Sequence, residues 1–169
     1  QVRAFFFPPK PAPAPAFFTG TKAKDLEKRM KKITENFWAG ETEVTNSEYE
    51  QFLSDLLKNK EYNLLDSCRL GKTNWRSLLP ENFRSLDDAK IFEHGHPDDP
   101  GHPVQNISHA AAQRYCEWIT RVYNADSGKK KHKKVLFRLP GKAEWENIAS
   151  FGRPDAPYPW GGYFVRNSK

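Results

Sequence analysis

Only two stretches of this chain pair a helix-capping residue with an apolar face of helical period, and that scarcity limits what it can fold into. The first is "VTNSEYEQFL", in which Thr45 caps the N–H of Glu48 while the Glu48 carboxylate reaches back as a capping box. Tyr49, Phe52, Leu53 and Leu56 then share one face. The second is "SHAAAQRYCEWITRVY", opened by Ser108, with Ala112, Tyr115, Cys116 and Ile119 assigned to one face. Between them, residues 58–100 read as irregular, punctuated by the turn signals "LGKTN" and "HGHPDDPGHP".

The flanks are read as follows. "KAKDLEKRMKKITENF" spaces Leu26, Met30, Ile33 and Phe37 as a short basic amphipathic helix over 22–35. "FWAGETEV" reads as a strand ending at Val44, and "VLFRLP" as a strand ended by Pro140. A short helix follows through "GKAEWENIA", then a rigid turn in "RPDAPYPWGG". The mixture is α+β, loop-rich, with little regular structure. Upstream, "FFFPPKPAPAPAFF" cannot form helix or central strand, so residues 1–21 are expected to be an extended arm. Phe5, Phe6, Phe7, Phe17 and Phe18 are its candidate contacts with a partner, since exposed they would be a liability.

Composition narrows the class. With 169 residues the chain is long enough to bury roughly 70% of its unfolded surface. Mean hydropathy of −0.83 and the lack of a long apolar run exclude a transmembrane helix. A net charge of +6 permits acidic partners, but much of the excess sits in local lysine clusters, so nucleic acid is not implied. The start at Gln1 is compatible with removal of a secretory signal, though no such signal is visible in the sequence. Cys68 and Cys116 are too few for a disulfide scaffold. Pairing them would close a long loop worth ~4 kcal/mol; two separate thiols, Cys116 on a buried helix face and Cys68 in a loop, is the favoured reading.

Four segments in order resemble a known family: "ETEVTNSEYEQFL", "HPVQNISHAAAQRYCEW", "FRLPGKAEWENIA" and "YPWGG". They are similar to successive signatures of the formylglycine-generating-enzyme domain, also called the sulfatase-modifying-factor domain. Each piece is weak alone; four in register over residues 36–164 are strong, and residues 36–169 are taken as the N-terminal part of such a domain. The ending "YPWGGYFVRNSK" is further similar to Bacteroidota members, among them gliding-motility and type IX secretion components.

The resemblance implies a variant of the C-type-lectin fold. It implies structural roles for Glu43, Asn46, Ser108, Cys116, Trp118, Arg138, Glu144, Trp145, Trp160 and Gly161. Glu43 and Asn46 would satisfy backbone donors at the first helix. Arg138 would pair, buried or half-buried, with Glu144 or Glu146. Trp118, Trp145 and Trp160 would supply apolar area, and Cys116 would pack. Family catalysis oxidises a substrate cysteine to formylglycine with dioxygen at a copper-binding cysteine pair. Those cysteines, and the calcium ligands, lie beyond the segments matched here, so no cofactor is expected in this chain. Two departures point away from catalysis: Gly141-Lys142 stand where the family has Thr-Glu, and His109 where it has Trp.

Two further clusters were weighed. His94, His96, Asp98, Asp99 and His102 form a conceivable metal set, though their spacing fits no zinc pattern and a surface loop is favoured. "GKKKHKK" reads as a solvated insertion that otherwise suits phosphate, anionic lipid or an acidic protein. Three functions compete: a non-catalytic interaction module of a cell-envelope assembly with a protein partner, an oxidase whose catalytic half lies elsewhere, and a lectin-like glycan or peptide binder. The first is the expectation.

Overall fold

The computed structural model describes residues 22–71, 74–87, 91–92, 96–150 and 158. Its centre is built on the two capped helices: α2, Asn46–Lys58, here joined by α3, Tyr62–Cys68, and α6, His109–Ala125. Thr45 Oγ1 accepts the Glu48 N–H and Glu48 Oε2 accepts the Thr45 N–H, so the capping box forms as read. Ser108 Oγ accepts the Ala111 N–H at 3.0 Å.

Asn46, Glu48, Tyr49, Phe52 and Leu56 are the buried side of α2. On α6 Tyr115 and Ile119 are buried as expected, joined by Ala111, Trp118 and Tyr123 in place of Ala112 and Cys116. Cys116 is therefore only half-buried, whereas Cys68, expected in a loop, ends α3 and is fully buried. Both cysteines are free thiols. Four rings fill the space between α2 and α6. Tyr49 stacks on Tyr115 at 5.8 Å, Phe52 stands perpendicular to Tyr115, and Trp118 lies 5.5 Å from Phe52. Such pairs each contribute about 0.5–1.5 kcal/mol beyond the area they bury.

Residues 58–100 are more regular than expected. Besides α3 they hold α4, Trp75–Leu78, and α5, Glu81–Arg84. The α2–α3 link is a tight C-terminal turn in which the Lys60 N–H donates to the Leu57 carbonyl and the Glu61 N–H to the Leu56 carbonyl. Lys60 sits there at φ 59°, the left-handed position usually given to glycine. A missing Gly hid the motif from sequence reading.

At the N-terminal side the helix is shorter than its apolar spacing suggested. The first helix, α1, spans Ala23–Lys28, and Met30–Lys32 (β1) instead pairs antiparallel with Trp38–Gly40 (β2). Val44 lies outside β2, and Thr45 makes an isolated bridge with Pro103. Ala23 and Leu26 are buried in the same core as α2 and α6.

The "VLFRLP" segment joins no sheet among the described residues. Its backbone is satisfied by side chains of α6. Asn124 accepts the Val135 N–H and donates to the Val135 carbonyl, both at 2.9 Å, and Thr120 Oγ1 accepts the Phe137 N–H. Two polar residues one helical turn apart thus replace a partner strand. The last described helix, α7, is Lys142–Ala149.

Candidate functional site

The residues singled out in the sequence gather at two junctions, and both are structural. At the start of α2, the N–H groups that a helix leaves unpaired meet the loop of residues 97–102. The Asn46 N–H donates to the His102 carbonyl and the Ser47 N–H to the Pro100 carbonyl. The Asn46 side-chain amide donates to the carbonyls of Pro97 and Asp99, at 3.0 and 2.8 Å. Asn46 was expected to satisfy backbone donors; it satisfies acceptors, and the proline-rich loop does the capping. Glu43 is exposed and takes no part in this cradle.

Beneath the cradle lies a charge pair that the sequence did not reveal. Glu48 is only 3% exposed, and its second carboxylate oxygen takes an ion pair from Arg29. With both oxygens engaged, the buried charge is compensated.

The second junction joins "FRLP" to α7. Arg138 grips Glu144 through two nitrogens, each 2.6 Å from a carboxylate oxygen. Of the two carboxylates considered, Glu144 is the partner, and the pair is exposed rather than buried. Glu144 Oε2 also accepts the Gly141 N–H, restoring half of the cap that Gly141 lacks. The hydrogen bonds from Arg138 and Gly141, with the Arg138 charge, pull the Glu144 carboxyl down to about 2 against the opposing effect of desolvation. Lys142, unfavourable at a helix start by about 0.3–1 kcal/mol, points to solvent and toward Glu146.

The tryptophans divide. Trp118 is buried, Trp145 is 45% exposed and adds little to the core, and Trp160 lies outside the described residues, as do Gly161, His94 and the phenylalanine arm. In the His/Asp loop, His96 Nδ1 accepts the Asp98 N–H and Asp99 accepts the His96 N–H, while Asp98 receives the Trp75 indole N–H. These side chains knit the loop together. Among the described residues no three His, Cys, Asp or Glu groups converge as metal ligands.

The thiols do not fit a copper pair. Cys68 is sealed beneath Tyr49, whose hydroxyl donates to the Cys68 carbonyl at 2.8 Å. Cys116 sits on a different helix, and burial, then the neighbouring Glu117 charge, push its thiol pKa up, away from the thiolate a metal needs. A shallow groove of about 420 Å³ runs past α3 and α6 between Leu64, Arg114, Glu117, Arg121 and Leu136. Its Arg114 is paired with Glu117 at 2.8 Å. Its remaining lining is Glu61 and Thr120, and the Thr120 hydroxyl donates to the Cys116 carbonyl.

A capped α2 clamped by a proline-rich loop, an aromatic layer against α6, and an Arg–Glu clasp opening a short helix define a loop-rich framework domain. Residues 14–169 match the sulfatase-modifying factor enzyme 1-like domain, and the chain belongs to that family. It is similar to the formylglycine-generating enzyme of Bos taurus, 27% identical over 176 residues that cover 89% of this chain and 41% of that enzyme. The chain thus spans about two-fifths of that relative's length. No solved structure matches it.

Proposed function

We propose that this chain is a non-catalytic framework and interaction module on the sulfatase-modifying-factor plan, with the C-type-lectin-variant fold of that family. The observation that carries this is the state of its thiols. One is entirely buried, the other is half-buried with its acidity suppressed, and they stand on separate helices. Asn46, Ser108, Trp118, Arg138 and Glu144 are each engaged in capping a helix or holding one segment to another.

A cell-envelope setting of the gliding or type IX secretion kind, exported and with a protein partner, is the finer proposal. It rests on the likeness of the terminal "YPWGGYFVRNSK" and has no geometric support, since those residues other than Tyr158 lie outside the described ones.

The competing reading is a copper-dependent formylglycine-generating oxidase whose catalytic half lies outside this chain, favoured by the name of the bovine relative. Incubating the full-length natural product that carries this chain with copper, dioxygen and a sulfatase-derived cysteine peptide, then weighing the peptide, separates the two. The framework reading expects the cysteine to survive. Conversion to formylglycine would overturn it and put the oxidase in its place.

A further inference from the structure

Residues 22–34 carry six lysines and arginines against two carboxylates, and residues 128–134 carry five lysines and no carboxylate. Together these twenty residues hold more positive charge than the net +6 of the whole chain. Far apart in sequence, the two runs are joined in the fold. Glu27 of α1 accepts the Lys131 N–H at 2.6 Å and the Tyr123 hydroxyl. Asp126 bridges the same junction, accepting the N–H groups of Ala23 and Gly128, each at 2.7 Å. The Trp38 ring of β2, paired with Lys32 of β1, meets the His132 ring at 5.4 Å.

Part of this charge is internal to the fold. Lys130 donates to the Tyr123 and Asn124 carbonyls and so closes the C-terminal end of α6. Arg29 belongs to Glu48, Lys28 to Asp25 and Lys31 to Glu41. Among the described residues, Lys24, Lys32, Lys129, Lys131, Lys133 and Lys134 are exposed and have no ion-pair partner. Concentrating six such charges on one corner costs self-repulsion, which a bound anion relieves.

We propose that this corner is a docking surface for an acidic polypeptide segment of a partner protein. Three observations choose that class. No exposed large apolar side chain of the described residues falls within 22–34 or 128–134, so there is no wedge to enter a lipid layer. The unpaired cations are all lysines, point charges without the planar fork that grips phosphates, and the nearby Trp38 and His132 rings are turned on each other rather than open for base stacking. Finally, among the described residues β1 has a strand on one side only, with Lys31 and Lys32 exposed, so an extended acidic segment can run along it.

This adds a surface to the framework reading and is tested apart from it, since the peptide-oxidation assay is blind to docking. The probe is a fluorescent peptide of alternating glutamate and serine, titrated with the full chain at low and at physiological salt. Binding that weakens with salt, and weakens about tenfold or more in the variant K32Q/K129Q/K133Q/K134Q, supports the proposal. A control, K58Q/K60Q/R69Q/K142Q, removes the same charge elsewhere and is expected to bind as the parent does. No binding, or equal loss in both variants, overturns it. So does tighter binding to phosphatidylserine-containing vesicles or to single-stranded DNA than to the peptide. Should the first variant fail to fold, the pairs K32Q/K129Q and K133Q/K134Q carry the same comparison in halves.

Discussion

The Trp118 indole N–H donates to Asp55 Oδ2 at 2.8 Å across 63 residues of sequence, tying the middle of α6 to the last turns of α2. The indole is itself buried against Phe52 and Tyr115. Trp118→Phe keeps a ring but leaves the carboxylate without its donor, and is expected to cost about 2 kcal/mol in urea unfolding. A double-mutant cycle with Asp55→Ala isolates the bond, and a coupling energy indistinguishable from zero would show that packing alone matters here.

Lys60 pays the strain of a left-handed backbone so that the α2 terminus can close. Lys60→Gly removes the Cβ conflict at that φ, and stabilisation by about 1 kcal/mol is expected despite the added freedom of the unfolded chain. Lys60→Ala keeps the conflict and is expected to leave the unfolding midpoint unchanged. A Gly variant less stable than the parent would contradict the turn geometry.

The Arg138–Glu144 clasp sets an acid limit. The Glu144 carboxyl is depressed in the folded state to about 2, below the ordinary glutamate value of about 4.3. Its contribution is therefore fully present above the ordinary value and is lost as pH falls from there through about 2. Amide chemical shifts of Gly141 and the first turn of α7 should hold steady down to about pH 3 and move as the pH passes through about 2. Glu144→Gln should abolish that movement; an unchanged titration would mean other carboxylates cause it.

Thiol accessibility follows from burial. Cys116 is expected to react slowly with a thiol reagent at pH 8, because it is half-buried and its thiolate is disfavoured. Cys68 is expected to react only after unfolding. Two rapid equivalents in the native protein would contradict the packing of α3 beneath Tyr49.

What could be read in advance divides along local and non-local lines. The Thr45–Glu48 capping box, the Ser108 cap and most of the α2 face were legible because their signals are local, and the family likeness narrowed the partner of Arg138 to Glu144 or Glu146. On α6 Tyr115 and Ile119 were legible, whereas Ala111 and Trp118 were missed in favour of Ala112 and Cys116, because small and aromatic residues flank the face on both sides and periodicity alone did not fix its edges. Met30 and Ile33 carried helical spacing, yet β1 won because its pairing with Trp38–Gly40 supplies backbone bonds that a frayed basic helix would not. Arg29–Glu48, Trp118–Asp55 and the loop carbonyls at Asn46 each join distant segments, and nothing within either segment announces the other. The Asn124 and Thr120 side chains that replace a strand were likewise invisible, since both read as ordinary polar helix positions.

The central claim is that α2, α3 and α6 form a self-supporting framework around Tyr49, Phe52, Tyr115 and Trp118. Native-state hydrogen exchange on the 169-residue chain measures this directly. The slowest amides are expected at the buried positions of α2 and α6, with α4 and α5, which bury no residue, exchanging far sooner. If Phe52, Tyr115 and Trp118 exchange as fast as α4 and α5, these helices do not hold themselves together and the framework reading fails.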